Sequence, residues 1–579
     1  MRKQKSEGDQ DFSIKSLFVP FTAVKAVHFI IIIGFVVFCN SFFNGFVIDD
    51  AGQIVSNPNI NTLATIPKLF FDQSTLQMSS NYYRPLPGSV YVGLHLLFDD
   101  ISFPYHLIQS LFHIANAVLI FYIFRKFLKP GLSFFLAALF LIHPVNEETV
   151  VYIANLQDVL FLFFGLLSLV ILQAHPERSK YLIAAAIAIL FSILSKESGV
   201  LFILITWLWV YLFKRKRLLF HTFCLAIVSV IYCFLRLISH VPFQKDPLVP
   251  VLNMSFSERV VNIPSIIFYY IHIFFYPDTL IALHSWVIRN IQLNNFILPL
   301  LLDILFFGVL ISVSTYLMRT GKDKKAVVFF LLWFLLGLII HLQLYPIDMT
   351  VADHYFYFPI IGLLGLTGLF LQKVIVNNSV KVSMTVLGIL LLIILSLRTF
   401  IRNTNWVNQT VLLTHDEKLA GNDYLEELSL GVDLLGRGDY NQAFPHIQHA
   451  EQLYPHSWKS WVALGAIYYQ KGDIKHAKEA YLRAITIRNY LPAYEDAAML
   501  SLMENGNLTE TRDFVRHATD LYPNSEKLWY YRILAEYKTG NYDEALLAAK
   551  NYNQLKKDTE SEAIYQRLLD KFPLNIDLK

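Results

Sequence analysis

Residues 179–217 read SKYLIAAAIAILFSILSKESGVLFILITWLWVYLFKRKR. Two apolar runs, 180–195 and 198–213, flank the polar pair Lys196 and Glu197. Four basic residues in a row, Lys214, Arg215, Lys216 and Arg217, close the second run. A helix needs about 20 apolar residues to cross a bilayer. These two are short, but apolar runs bounded by basic clusters recur along the chain. Further runs lie at 22–43, 106–124, 131–145, 154–174, 218–240, 296–318, 326–344, 355–372 and 382–400. The expectation is an all-α protein with about eleven membrane spans.

Positive charge collects on the cytoplasmic side of membrane proteins. The basic clusters are Arg2/Lys3/Lys5, Arg125/Lys126/Lys129, Arg178/Lys180, residues 214–217, Arg319/Lys322/Lys324/Lys325 and Lys373/Lys381. With eleven spans all six fall on one side. That puts the N-terminus in the cytoplasm and the C-terminal part outside. Residues 259–276 are also apolar, but a span there would put Arg319 to Lys325 outside. A helix in the interface or re-entering the outer leaflet fits the charges better, an ordinary span being the alternative.

Composition agrees. Of 579 residues 55% are hydrophobic and 16% charged, whereas about a quarter are charged in soluble domains. The shortfall ends near Asn405. The expected domains are a cytoplasmic tail at 1–20, a membrane domain at 21–404 with outer loops 44–105 and 241–295, and a soluble domain at 405–579. Cys39, Cys224 and Cys233 lie in apolar runs, which excludes a disulfide framework. The first apolar run is too long for a cleaved signal peptide and lacks a small-residue cleavage site, so it reads as a retained span.

The soluble part repeats itself. Gly438-Asp439, Gly472-Asp473, Gly506-Asn507 and Gly540-Asn541 recur every 34 residues, which is the tetratricopeptide period. Small residues follow at fixed offsets: Ala443, Ala477, Thr511 and Ala545, then Ala450, Ala484 and Ala518, with Tyr552 departing. SEAIYQRLLDKF reads as a capping helix. Such α-solenoids offer a concave surface for an extended polypeptide. Trp461, Tyr468 and Tyr469 are the candidate acceptor-binding residues; a spacer without ligand is the alternative.

Charged residues at the edge of lipid are costly and are functional candidates by default. Asp49 and Asp50 open the first outer loop, and adjacent carboxylates raise the pKa of one of the pair. Such a carboxylate serves as a general base or holds a metal; a helix cap or exposed loop pair is the alternative. Arg84 follows in the same loop. His143, Glu147, Glu148 and Asp158 lie near the outer ends of two spans, and Lys196 and Glu197 lie between two more. Asp348, Asp353 and His354 precede another. Four such clusters on one side, beside a carboxylate pair, point to a site for an anionic substrate at the membrane surface.

The motifs FVIDDAGQIVSNP, YYRPL, HPVNEETV, LSKESG and VADHYFYFP, in this order and before tetratricopeptide repeats, resemble the transmembrane-and-tetratricopeptide-repeat O-mannosyltransferases. The resemblance covers essentially the whole chain. It implies the C-type glycosyltransferase fold and transfer of a single sugar, mannose, from a polyprenyl-phosphate donor to a protein hydroxyl, with inversion. It implies Asp49 as base with Asp50 beside it. Arg84, Lys196 and His354 would meet the donor phosphate, and Glu147, His143 and Asp353 would complete the donor site. By analogy no cofactor is needed; a divalent metal at Asp49 and Asp50 is left open by the pair but not expected. The implied partners are the lipid-linked donor, membrane lipid and an acceptor polypeptide on the repeats, with no nucleic acid. One departure stands out: the family has an A-E-R-Y-like stretch where this chain has Ala352-Asp353-His354-Tyr355, so a titratable histidine replaces a permanent charge. The alternatives are a transferase acting on a lipid or cell-envelope glycan, and a non-catalytic membrane scaffold. Rich Phe, Ile and Lys usage favours a bacterial inner membrane with the site facing the periplasm, the endoplasmic reticulum being the alternative.

Overall fold

The computed structural model describes residues 21–72, 82–175, 177–241, 249–321, 323–374, 378–504 and 506–574. The expected tail at 1–20, its basic cluster, Lys322 and parts of both outer loops lie outside the described residues. Among the described residues every regular element is helical. The chain divides into two compact units, Met1–Ala420 and Gly421–Lys579. The sequence puts the boundary at 404/405 instead. The helix Gln409–Ala420 goes with the first unit because Asp416 on it grips Arg402 with two hydrogen bonds of 2.7 and 3.0 Å.

In the first unit, besides the short helix Thr65–Leu69 in the first outer loop, the helices are α1 (Ala23–Phe38), α2 (Pro85–Phe98), α3 (Ser102–Phe124), α4 (Pro130–Ile142), α5 (Glu147–Val151), α6 (Leu156–Ala174), α7 (Ser179–Ser195) and α8 (Val200–Phe213). They continue as α9 (Leu218–Ile238), α10 (Phe256–Phe275), α11 (Leu298–Thr320), α12 (Lys324–Ile339), α13 (Pro359–Val374), α14 (Asn378–Asn403) and α15 (Gln409–Ala420). All eleven apolar runs are helical. Among the described residues five helices are long and apolar enough to cross a membrane: Ser102–Phe124, Ile153–Ala174, Arg215–Ile238, Leu293–Thr320 and Ser379–Trp406. The pair Pro130–Ile142 and Pro144–Val151, bent by 52°, makes a sixth if counted as one span. A count of eleven is thus not reached on length and composition. Several of the other runs give helices of only 16 residues, as in α1, α12 and α13. Such a helix rises about 24 Å, against about 30 Å of hydrocarbon.

Local chemistry sets the helix ends. Proline stands at the first turn of α2 and α4, where its missing N–H costs nothing. A capping box of Ser255 and Glu258 starts α10. That helix covers the apolar run 259–276; it is 20 residues long but falls short of the apolarity of a span. The outer loop 44–105 is more ordered than its sequence suggests, since it contains all of α2. Close helix packing also depends on small residues. A Cβ on Gly362 of α13 would come within 2.4 Å of the Phe334 backbone nitrogen on α12.

The second unit is a run of helix pairs: α16 (Tyr424–Gly436) with α17 (Tyr440–Leu453), α18 (Trp458–Gln470) with α19 (Ile474–Ile487), α20 (Leu491–Met503) with α21 (Leu508–Leu521), and α22 (Glu526–Lys538) with α23 (Tyr542–Lys556). A final helix, α24 (Thr559–Leu569), forms where a cap is expected. Gly438, Gly472 and Gly540 turn the chain at φ of 81°, 79° and 78°, a region that disfavours other residues. The following Asp439 and Asp473 then cap the next helix through its third N–H. The recurring alanines, Ala443, Ala477, Ala545, Ala450, Ala484 and Ala518, are fully buried where the paired helices meet, and Tyr552 takes the corresponding buried place in the last pair.

Candidate active site

Asp49 and Asp50 have opposite environments. Asp49 is exposed, whereas Asp50 is fully buried. One Asp50 oxygen accepts the Val47 N–H at 3.0 Å and the other accepts the Ala154 N–H at 2.7 Å. Burial pushes the Asp50 carboxyl well above its ordinary range; the two amides oppose this, and the Asp49 charge adds a smaller push upward. The sequence singles out charge repulsion as the cause, but loss of water is the larger effect. Asp50 thus anchors the loop and Asp49 faces outward.

The rest of the loop is held as firmly. Gly45 N–H donates to the Val407 carbonyl at 2.9 Å, and Ile48 N–H to Gln409 Oε1 at 3.1 Å. Asn44 Nδ2 donates to the Asn403 carbonyl at 2.9 Å, and Ser102 Oγ to the Asn44 carbonyl at 2.6 Å. On the other side Asp49 N–H donates to the Tyr152 hydroxyl at 3.1 Å. The loop is therefore tied to the segment joining α14 to α15 and to the segment joining α5 to α6.

The cations come with carboxylates. Arg84 Nε donates to Glu197 Oε2 at 2.9 Å, and its guanidinium lies over the Tyr82 ring at 4.0 Å. Arg236, at the end of α9, approaches the other Glu197 oxygen at 3.7 Å. Lys196 Nζ bonds both Asp158 oxygens at 2.7 and 2.8 Å. Burial pulls the Lys196 ammonium below its ordinary range, against the pull of Asp158. The expected phosphate partner Lys196 is therefore neutralised within the protein. Two arginines thus share Glu197. Tyr82 donates to Asp348. Tyr91, whose hydroxyl donates to the Ile153 carbonyl at 2.8 Å, lies within electrostatic range of Asp50, Arg84 and Asp158 together.

His354 faces Glu148: the ring Nδ1 lies 2.8 Å from one oxygen, and the backbone N–H donates to the other at 3.0 Å. Asp353 is buried and accepts a hydrogen bond from Tyr269, which also meets His284 at 3.0 Å. Burial, and next the Glu148 charge, pushes the Asp353 carboxyl well up. Glu147 is buried 3.8 Å from Arg402. His143 belongs to the bend between α4 and α5: its Nε2 meets the Phe274 carbonyl at 3.0 Å, its Nδ1 accepts the Val145 N–H at 3.2 Å, and its ring stacks on Phe274. Both its nitrogens have protein partners, a structural arrangement.

Tyr152, Arg236, Arg402 and Asp416 were not singled out from the sequence. Arg236, Arg398 and Arg402 stand at the ends of spans that the charge count assigns to the outside. That breach of the positive-inside rule is the signal that could have found them. In the repeat unit Trp461 Nε1 donates to the Pro455 carbonyl at 3.1 Å, and Tyr468 packs edge-on against Phe444. Both are half-buried and pack on the cores of neighbouring helix pairs, as Tyr469 does. Among the described residues no three His, Cys, Asp or Glu side chains gather as a metal-ligand set.

The site thus combines an exposed carboxylate, Asp49, on a braced loop with buried ion pairs among apolar helices. Residues 85–240 match the dolichyl-phosphate-mannose-protein mannosyltransferase family, and residues 459–490 match a tetratricopeptide repeat. More narrowly, the chain is similar to proteins named protein O-mannosyl-transferases. It is 22% identical to human TMTC3, over 87% of this chain and 61% of that one, and 22% identical to the mouse protein, over 88% and 61%. It is 25% identical to F38B6.6 of Caenorhabditis elegans, over 71% and 60%. The chain thus spans about three fifths of the length of these relatives. The resemblance carried by the motifs is borne out. Among solved structures, the Cut9–Hcn1 hetero-tetramer of the APC/C is 12% identical over 87% of this chain and 94% of that one. Yeast Tom70 is 14% identical over 76% and 92%. Both give a TM-score of 0.25, too low to bear on the fold.

Proposed function

We propose that this chain transfers one mannose from a polyprenyl-phosphate donor to a serine or threonine hydroxyl of a protein, by a single inverting displacement. The observation that carries the reading is the division of labour at the carboxylate pair: Asp50 fixes the loop and Asp49 faces out. Relatives named protein O-mannosyl-transferases support it. A hydroxyl is a poor nucleophile until its proton is removed, which needs a carboxylate in hydrogen-bonding reach. Asp49 takes that proton. The acceptor oxygen bonds to the sugar C1 from the face opposite the phosphate. The C1–O bond breaks, and polyprenyl phosphate leaves with the electron pair. The guanidinium groups of Arg84 and Arg236, both held on Glu197, offset the charge growing on that phosphate. Lys196 with Asp158, and His354 with Glu148, shape the site as hydrogen-bonded pairs, with Asp353 and Glu147 behind them. No metal takes part in this scheme, and the acceptor is held by the repeats, with Trp461, Tyr468 and Tyr469 on or near the binding surface. The site and repeats face the periplasm or the endoplasmic reticulum lumen.

The test is transfer from dolichyl-phosphate mannose to a serine- and threonine-rich peptide by the purified protein. Asp49→Asn should lower kcat by about 100- to 10,000-fold, the usual worth of a general base, with the thermal midpoint unchanged. Undiminished transfer would show that Asp49 is not the base. Adding EDTA should leave the wild-type rate unchanged; a loss reversed by a divalent cation would return the carboxylate pair to metal binding.

A further inference from the structure

The segment after HPVNEETVV runs Tyr152-Ile153-Ala154-Asn155, and it meets the Asp49 loop at two consecutive residues. Ala154 N–H donates to Asp50, and the Tyr152 hydroxyl accepts the Asp49 N–H at 3.1 Å. The same hydroxyl is within hydrogen-bonding reach of the Asp49 carboxyl. Tyr152 has little freedom to be elsewhere. Gln109 Nε2 donates to its carbonyl at 2.6 Å and to the Thr149 carbonyl at 2.7 Å. Its ring stacks on Trp406, centroids 5.6 Å apart and planes 28° off parallel. Tyr91 holds the next carbonyl.

A phenol oxygen has one proton to give and two lone pairs to receive with. Here one lone pair takes the Asp49 N–H. The O–H is left to point at the strongest acceptor beside it, the carboxylate of the same residue. We propose that Tyr152 is a positioning residue for the base: its O–H donates to one Asp49 oxygen, fixing the carboxylate rotamer and leaving the other oxygen to receive the acceptor's proton. This rests on the reading of Asp49 as the base. The phenol keeps its own proton throughout, since burial pushes its pKa far up, with the charges of Asp49 and Asp50 adding to the push. It orients the carboxylate without competing for the substrate proton. Nearby charged groups do not offer the same contact: Asp50 faces the backbone amides of Val47 and Ala154, and Glu147 faces Arg402.

A hydroxyl that merely ties down a loop and one that orients a base differ in what they change. Tyr152→Phe keeps the ring on Trp406 and removes only the oxygen. A donated hydrogen bond favours the charged carboxylate, so its loss should move the acid limb of the pH–kcat profile to higher pH. A misoriented base should lower kcat by up to about 100-fold, with KM for dolichyl-phosphate mannose unchanged and the thermal midpoint within a few degrees of wild type. Tyr152→Leu, which also loses the stack, should add a fall in thermal midpoint. A wild-type kcat and acid limb in Tyr152→Phe would overturn the proposal. So would a rate loss that tracks a lower thermal midpoint with the limb unmoved. Asp49→Asn separates the two readings: an active Asp49→Asn enzyme sinks the base itself, whereas an inactive one beside a fully active Tyr152→Phe sinks only the role of the tyrosine.

Discussion

At the scale of single residues, charge balance decides what each cation can do. The sequence groups Arg84, Lys196 and His354 as candidate phosphate partners, because all three are basic residues on the expected outer face. It has no means of pairing them with their carboxylates. Those partners are distant in the chain: Asp158 is 38 residues from Lys196, Glu197 is 113 from Arg84, and Glu148 is 206 from His354. Once paired, the three separate. Arg84→Gln removes a permanent positive charge and should weaken donor binding. A hydrogen bond to a charged group is worth about 1.5–3 kcal/mol, so KM for dolichyl-phosphate mannose should rise about 10- to 100-fold. Lys196→Met acts differently, since it leaves the Asp158 carboxylate, 2% exposed, without its cation. Breaking a buried pair from one side costs about 3–5 kcal/mol. The expected result is a lower thermal midpoint and poor yield, with donor KM close to wild type in the protein that survives.

At the scale of elements, helices were legible where composition carries the signal and obscure where a short polar stretch matters. The eleven apolar runs became helices because a continuous apolar segment satisfies its own backbone most readily as a helix. Helix α2 was read as loop, because PLPGSVYVGLHLLF has two prolines and two glycines; its first proline in fact opens the helix. Close approach of α12 and α13 was not legible either, since a glycine in an apolar run gives no hint of its neighbour. Gly362→Ala should push these helices apart, lowering stability by about 1–3 kcal/mol, the usual cost of overpacking, as read from the thermal midpoint. The junction of α14 with α15 responds to acid. Burial pushes the Asp416 carboxyl up, but Arg402, His415 and the Ala282 N–H together hold it below the ordinary 3.8. With a depressed native value the unfolded chain protonates first, so this contribution is complete above pH 3.8 and lost as pH falls through the native value. Wild-type protein should keep α15 protected from protease down to pH 4, whereas Asp416→Asn should lose that protection already at pH 7.

At the scale of the whole molecule, the repeats were the most legible feature, since a 34-residue period survives any uncertainty about single positions. Their boundary was less so: α15 has the polarity of the soluble part, yet Asp416 holds it to the first unit. A cut at 404/405 would therefore strip Arg402 of its partner and damage the membrane unit for reasons unrelated to the acceptor. A cut after Ala420 keeps that pair and removes only Gly421–Lys579. If the repeats hold the acceptor polypeptide, the shortened protein should bind dolichyl-phosphate mannose as wild type does, while its KM for a long serine- and threonine-rich peptide rises. Linking a second binding surface raises effective concentration without new contacts at the reacting centre. A free serine, which has no flanking chain for the repeats to hold, should show little difference between the two proteins. Tyr469→Ala in the full chain should reproduce part of the peptide effect. Trp461→Ala should instead destabilise its helix pair, because that indole already donates to Pro455 and packs on two cores. An equal loss of donor and long-peptide binding after the cut at 420 would mean that the repeats support the fold of the membrane unit rather than present the acceptor.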